Sequence, residues 1–187
     1  MQNTAGQLSG LSATVFDEIA FGLINQGMSE EEASKSVVRA ACQMGLEDLL
    51  EQAPDTLSGG QTQRLAIASE IAFDPEFLIM DDPTSQMDPV GRKEFFEWLA
   101  GCSEKTIFIV SNEVDDLCEI ADQLWVLEKG ELIASGKPLD VINQVAEGHD
   151  LYLPVVYRMA KELGKKLPSR LFPVKLSELK GCFDDQN

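Results

Sequence analysis

An α/β fold is predicted, and three observations predict it. Phe77–Met80 and Thr106–Val110 are short, wholly apolar runs, the pattern of buried parallel strands. A helical stretch from about Pro89 to Leu99 separates them, and strand, helix, strand is the rhythm of a parallel sheet. At 187 residues, with 44% apolar and 25% charged side chains, the chain has the length and make-up of one globular domain with a small appendage.

The elements follow in order. The first stretch, to about Gly22, is rich in Gly, Ser and Gln and turns apolar at Thr14–Phe21. Ser29 reads as an N-cap with Glu32 three residues on, a capping box. The helix it opens carries Ala33, Val37, Ala40 and Met44 on one face and stops at Gly45. A second helix begins near Ser58 and ends before Asp74-Pro75. After the two strands and their connecting helix comes a helix around Val114–Ala121. A hairpin, Gln123–Leu127 and Glu131–Ala134, turns at Lys129-Gly130. From Pro138 the chain is expected to be mostly helical, punctuated by Pro154, Pro168 and Pro173.

Composition removes several function classes. The formal net charge is −17 and no long basic run occurs, so a phosphate backbone would be repelled and no nucleic-acid partner is expected. No apolar run approaches the ~18 residues of a membrane span. The N-terminus lacks the basic start and apolar stretch of a signal peptide. Cys42, Cys102, Cys118 and Cys182 are scattered, and the single histidine, His149, lies far from each, so neither a zinc site nor disulfides are expected and a reducing cytoplasm is.

Two segments carry chemistry. Leu57-Ser58-Gly59-Gly60-Gln61 places two glycines and a hydroxyl at the start of a helix. Unpaired N–H groups and the positive end of the helix dipole suit that position to a phosphate, although a glycine turn before a capped helix gives the same pattern. Sixteen residues past Gln61 the strand Phe77–Met80 runs into Asp81-Asp82, followed by Pro83-Thr84-Ser85-Gln86-Met87-Asp88-Pro89. Two acids at the C-terminal edge of a sheet stand where open α/β proteins bind ligands. One can hold Mg²⁺ through water and the next can polarise an attacking water.

Residues 57–89 resemble the signature motif, Walker B strand and D-loop of ABC-type ATPases. Residues 106–112 resemble the strand leading into the switch loop, 121–136 the hairpin after it, and 2–7 the Q-loop. Gln61 favours transporters over chromosome-maintenance and recombination ATPases. The segment Thr14–Leu23, Met44–Leu49 and the tail Leu151–Gly164 are similar to the ATPases of energy-coupling-factor importers, which take up vitamins and cobalt or nickel ions. The resemblance implies a RecA-like P-loop NTPase sheet, present in part, with an α-helical subdomain at about 8–75. It implies a nucleotide-binding domain over 1–145 and a helical extension over 146–187. ATP and Mg²⁺ are the implied cofactors. A second ABC ATPase subunit and integral membrane subunits are the implied partners, the latter met through Leu8–Phe21, at the inner face of the cell membrane.

The resemblance also implies roles. Gln2 would sense Mg²⁺ and water. Ser58, Gly59, Gly60 and Gln61 would contact the γ-phosphate of ATP held by the opposite subunit. Asp81 would hold Mg²⁺ through water, and Asp88 would act across the dimer interface. Three departures from the family's pattern point one way. No G-x-x-x-x-G-K-[ST] occurs, so no backbone cradle and lysine hold the β/γ-phosphates. Asp82 stands where the family usually has the catalytic glutamate, and a carboxylate misplaced by ~1 Å costs on the order of 10²-fold in rate. Asn112 stands in place of the switch histidine and cannot carry a proton. Two explanations compete: a fragment of a longer ATPase, which would lack central strands of its sheet, or a short partner offering its signature motif to another subunit's P-loop.

Overall fold

The computed structural model describes residues 8–149 and 151–184. The chain divides into two compact units, one ending at Ser111 and the other beginning at Asn112.

The first unit opens with three packed helices. α1 (Val15–Asn25) starts at Thr14, whose hydroxyl oxygen accepts from the Asp17 N–H at 3.0 Å. α2 (Glu30–Gln43) has the capping box predicted from Ser29 and Glu32. It ends at Gly45, where φ is +61° and a side chain would strain the turn. α3 (Gly59–Ile71) is capped by Ser58. Val15, Ile19, Leu23, Val37, Ala40, Leu46 and Leu65 are fully enclosed among these helices. Val15 and Phe16 donate their N–H groups to Gln52 and Leu50, which fastens the start of α1 to the turn after α2. Ser9 donates to the buried Glu18 carboxylate, so that carboxylate is not left without a partner.

β1 (Phe77–Asp81) and β2 (Thr106–Val110) form a parallel pair, registered from Phe77 against Thr106 to Asp81 against Val110. α4 (Pro89–Ala100) makes the crossover between them. The apolar runs led to an expectation of strands buried on both faces, and that expectation is corrected. Leu78 and Met80 are buried, whereas Phe77, Ile79 and Val110 are 57%, 65% and 51% exposed. Among the described residues this sheet has two strands, and its buried side chains, Leu78 and Met80, lie on one face of β1.

The second unit contains α5 (Val114–Ile120), the hairpin β3 (Leu124–Glu128) and β4 (Glu131–Gly136), and the helices α6 (Pro138–Val145), α7 (Val155–Glu162) and α8 (Leu176–Asp184). Lys129 and Gly130 both have positive φ, +51° and +85°, as a two-residue hairpin turn of type I′ requires. Cys118, Ile142, Tyr157 and Val174 form one core cluster, so α5, α6 and α7 share an interior. Ala134, Val141 and Val145 seat the hairpin on α6.

Candidate functional site

Helix α3 and the acidic loop after β1 face each other across an open cleft of about 320 Å³. Its walls are Ser58–Gln61 and Arg64 on one side and Gln86–Asp88 with Gly91 on the other.

The α3 wall is built by its cap. The Ser58 hydroxyl oxygen accepts from the Gln61 N–H at 3.3 Å, which leaves its own proton to donate elsewhere. The Ser58 N–H donates to Gln61 Oε1 at 2.9 Å, and Thr62 Oγ1 donates to the Ser58 carbonyl at 3.0 Å. The helix itself offers no acceptor to the N–H groups of Gly59 and Gly60, the first two of its 13 residues. These groups carry the positive end of the dipole and suit an anion. Gln61, expected to reach a phosphate, has its Oε1 engaged in the cap.

Glycine at both positions lets the opposite loop come close. A Cβ on Gly59 would lie 3.1 Å from Gln86 Oε1, and one on Gly60 would lie 3.1 Å from the Gln86 backbone oxygen. The loop leaves β1 through Asp82, whose φ of +49° lies in the left-handed region that Asp enters more easily than most side chains. Its N–H donates to the Val110 carbonyl at 2.7 Å, holding the turn to the end of β2. Asp88 caps α4, with Oδ1 accepting from the Gly91 N–H at 2.7 Å.

Of the site residues expected from sequence, the fold brings Ser58, Gly59, Gly60, Gln61 and Asp88 into one cleft. Asp81 and Asp82 stand at the carboxyl edge of β1, at the root of the same loop. Asn112 belongs to the second unit, where its carbonyl accepts from Val114 at 2.9 Å. Gln2 lies outside the described residues. Sequence reading missed Gln63, which is 5% exposed and hydrogen-bonded to the acidic loop. Its signal was available: Gln63 falls on the α3 face of Ile67 and Ile71, a polar residue in an apolar stripe.

The cradle fits one side of a bound phosphate, with two glycines, free helix-terminal donors and a hydroxyl. It fits a metal less well. No cluster of three or more His, Cys, Asp or Glu gathers among the described residues, so a cation here would rely on Asp81 and water.

Residues 3–85 match the ABC transporter family. The chain is 38% identical over 173 residues to the energy-coupling factor transporter ATP-binding protein EcfA2 of Streptococcus pneumoniae, covering 89% of this chain and 62% of that protein. It is 40% identical over 167 residues to EcfA1 of Mycoplasma mobile, covering 87% of this chain and 60% of that protein. The solved structure of cbiO1 from Clostridium perfringens, described as part of the ABC transporter complex cbiONQ, superposes with a TM-score of 0.69 at 31% identity. It does so over 87% of this chain and 62% of that one. The dimeric bacterial ABC transporter cassette MJ0796 superposes at 0.65 and 26% identity, over 74% and 61% of the two chains.

The chain thus shares the α/β fold of ABC ATPase cassettes over most of its length, and its residues 3–85 resemble the ABC transporter family. Within that class it is similar to the ATP-binding proteins of energy-coupling factor transporters, and it spans about three-fifths of their length.

Proposed function

We propose that this chain is part of an ATP-binding subunit of an ABC-type importer of the vitamin or cobalt/nickel uptake class. In this reading ATP binding and hydrolysis at a dimer interface are coupled to transport by integral membrane subunits. Its place is cytoplasmic, peripheral at the inner face of the cell membrane. No helix among the described residues is long and apolar enough to cross a membrane, which is compatible with that place. The observation that carries the reading is the cleft between the α3 N-terminus and the loop Asp82–Asp88, open to an anion presented from outside the chain.

Bound ATP would supply the anhydride whose cleavage powers transport, and Mg²⁺ would neutralise phosphate charge. The residues of this chain hold and orient. Ser58 and the N–H groups of Gly59 and Gly60 donate to phosphate oxygens of a nucleotide gripped by a second ABC ATPase subunit. Asp88 faces that subunit from the opposite wall. Asp81 would hold the metal through water, and Asp82, one methylene shorter than glutamate, would be the carboxylate nearest to an attacking water. Asn112 offers a hydrogen bond where the family places a titratable group.

Asp82 and Asn112 favour a second reading, a partner that contributes the signature motif without turnover of its own. ATP turnover by the chain alone, and mixed with a P-loop-containing subunit, separates the two. Turnover only in the mixture, lost in Ser58→Arg, supports a signature-donating subunit. Equal turnover with and without the chain would end both readings.

A further inference from the structure

The two walls of the cleft come from segments some 20 residues apart, yet one buried side chain joins them. Gln63 Nε2 donates to the Asp82 carbonyl at 3.1 Å and reaches the Ser85 hydroxyl at 3.5 Å. Gln63 Oε1 accepts from the Gln86 N–H at 2.8 Å. Gln63 is 5% exposed, so these partners satisfy both ends of an amide that would otherwise be buried at a cost. Its bonds bracket the loop: one fixes the carbonyl of the strained Asp82, the other the amide that leads into Met87 and Asp88. Gln86 is itself an exposed residue, and its backbone lies against Gly60.

We propose that Gln63 is a positioning residue that clamps the loop Asp82–Asp88 to α3, so that the donors at Ser58–Gly60 and the Asp88 carboxylate keep one fixed separation when a second subunit presents its nucleotide. Gln63 lines no part of the cleft and touches no ligand itself. It acts through the loop, fixing the distance between the donors of Gly59 and Gly60 and the Asp88 carboxylate. This inference rests on the reading of the cleft as one half of a nucleotide site, and the test keeps the two apart.

The test uses the full chain and two substitutions of similar size. Gln63→Met fills the space and makes neither hydrogen bond. Gln63→Glu keeps an acceptor for the Gln86 N–H and buries a charge. If Gln63 only fills space, Met is the milder change and Glu the worse one. A clamp predicts the opposite order at one reporter, the Gln86 amide. Its hydrogen exchange rises on the order of ten-fold in Gln63→Met and stays near the unmodified rate in Gln63→Glu. An unchanged Gln86 rate in Gln63→Met, or equal acceleration in both, overturns the clamp. So does a Gln86 amide that exchanges at an unprotected rate in the unmodified chain, a measurement that needs no variant to fold.

A second arm reads function in a mixture with a P-loop-containing subunit, with Ser58→Arg as reference. Where turnover depends on Ser58, Gln63→Met lowers kcat on the order of ten-fold and leaves the KM for ATP near its starting value. Unchanged kcat in such a mixture overturns the positioning role. Turnover that ignores Ser58→Arg overturns the nucleotide-site reading, while the exchange result still decides the clamp.

Discussion

Gly60 shows at the residue scale how closely the two walls approach. The neighbour of an added Cβ is loop backbone held in place by Gln63, so it has little freedom to retreat. Gly60→Ala would gain up to ~1 kcal/mol of helix propensity, and overpacking against a fixed backbone costs ~1–3 kcal/mol. The expected net result is a loss of about 1 kcal/mol in denaturant unfolding, with exchange in residues 84–88 speeded. A more stable protein with unchanged exchange would show that the loop is not held. Cysteine reactivity gives a second residue-scale prediction. Burial, and then Asp115 and Glu119, push the Cys118 thiol up to about 12, while Cys42 is exposed. A maleimide at pH 7 should label Cys42 within minutes and spare Cys118 until denaturant is added, as mass spectrometry of the digested chain would report. Residues whose roles are local were legible in the sequence: Ser29 with Glu32 and Ser58 with Gln61 each close their hydrogen bonds within three positions. Gln63 shows in the sequence only as a polar residue on an apolar face; its role does not, because its partners lie 19 to 23 positions away and only folding brings them to it.

Among the elements, the strands taught more than the helices. Four apolar residues in a row identified β1 and β2, but burial is set by what covers a strand and not by its own composition, and one face of this pair is open. α1 showed in the sequence only as a stretch that becomes apolar at Thr14–Phe21, its cap hidden because Thr14 follows a loop of similar residues. Within α1, Gly22 allows the Phe73 ring to come so near that a Cβ would stand 2.7 Å from it, a contact across 51 positions that no local pattern contains. The junction between α3 and β1 carries its own test. Lys105 Nζ binds Asp74 at 2.7 Å and the Pro75 carbonyl at 2.9 Å, tying the turn before β1 to the start of β2. The Lys105 ammonium, through its hydrogen bond and then its charge, holds the Asp74 carboxyl below its ordinary value of 3.8. A depressed carboxyl contributes stability above its unfolded value and loses it as pH falls through the folded one. Lys105→Met should therefore destabilise by less than about 1 kcal/mol at pH 7, since the Asp74 carboxylate is 66% exposed. The gap to the unmodified chain should narrow on acidification below pH 3.8, the Lys105–Pro75 bond remaining; urea titrations at the two pH values check it.

At the scale of the whole molecule, the order of motifs along the chain made the class legible: signature helix, acidic strand end, second strand, hairpin. Each is a local pattern, and their spacing is set by how much chain each crossover needs. The half-covered sheet was not foreseen from the strands themselves, because apolar runs report a tendency to be buried and not the presence of a partner. In the proposed function the α3–loop cleft closes on a nucleotide presented by another subunit. ATP-dependent complex formation measures this most directly. The chain is sedimented with a P-loop-containing subunit whose hydrolysis is blocked, with ATP and with none, alongside Ser58→Arg. A complex should form with ATP and be lost in Ser58→Arg. A complex that forms equally without ATP, or survives Ser58→Arg unchanged, would contradict it.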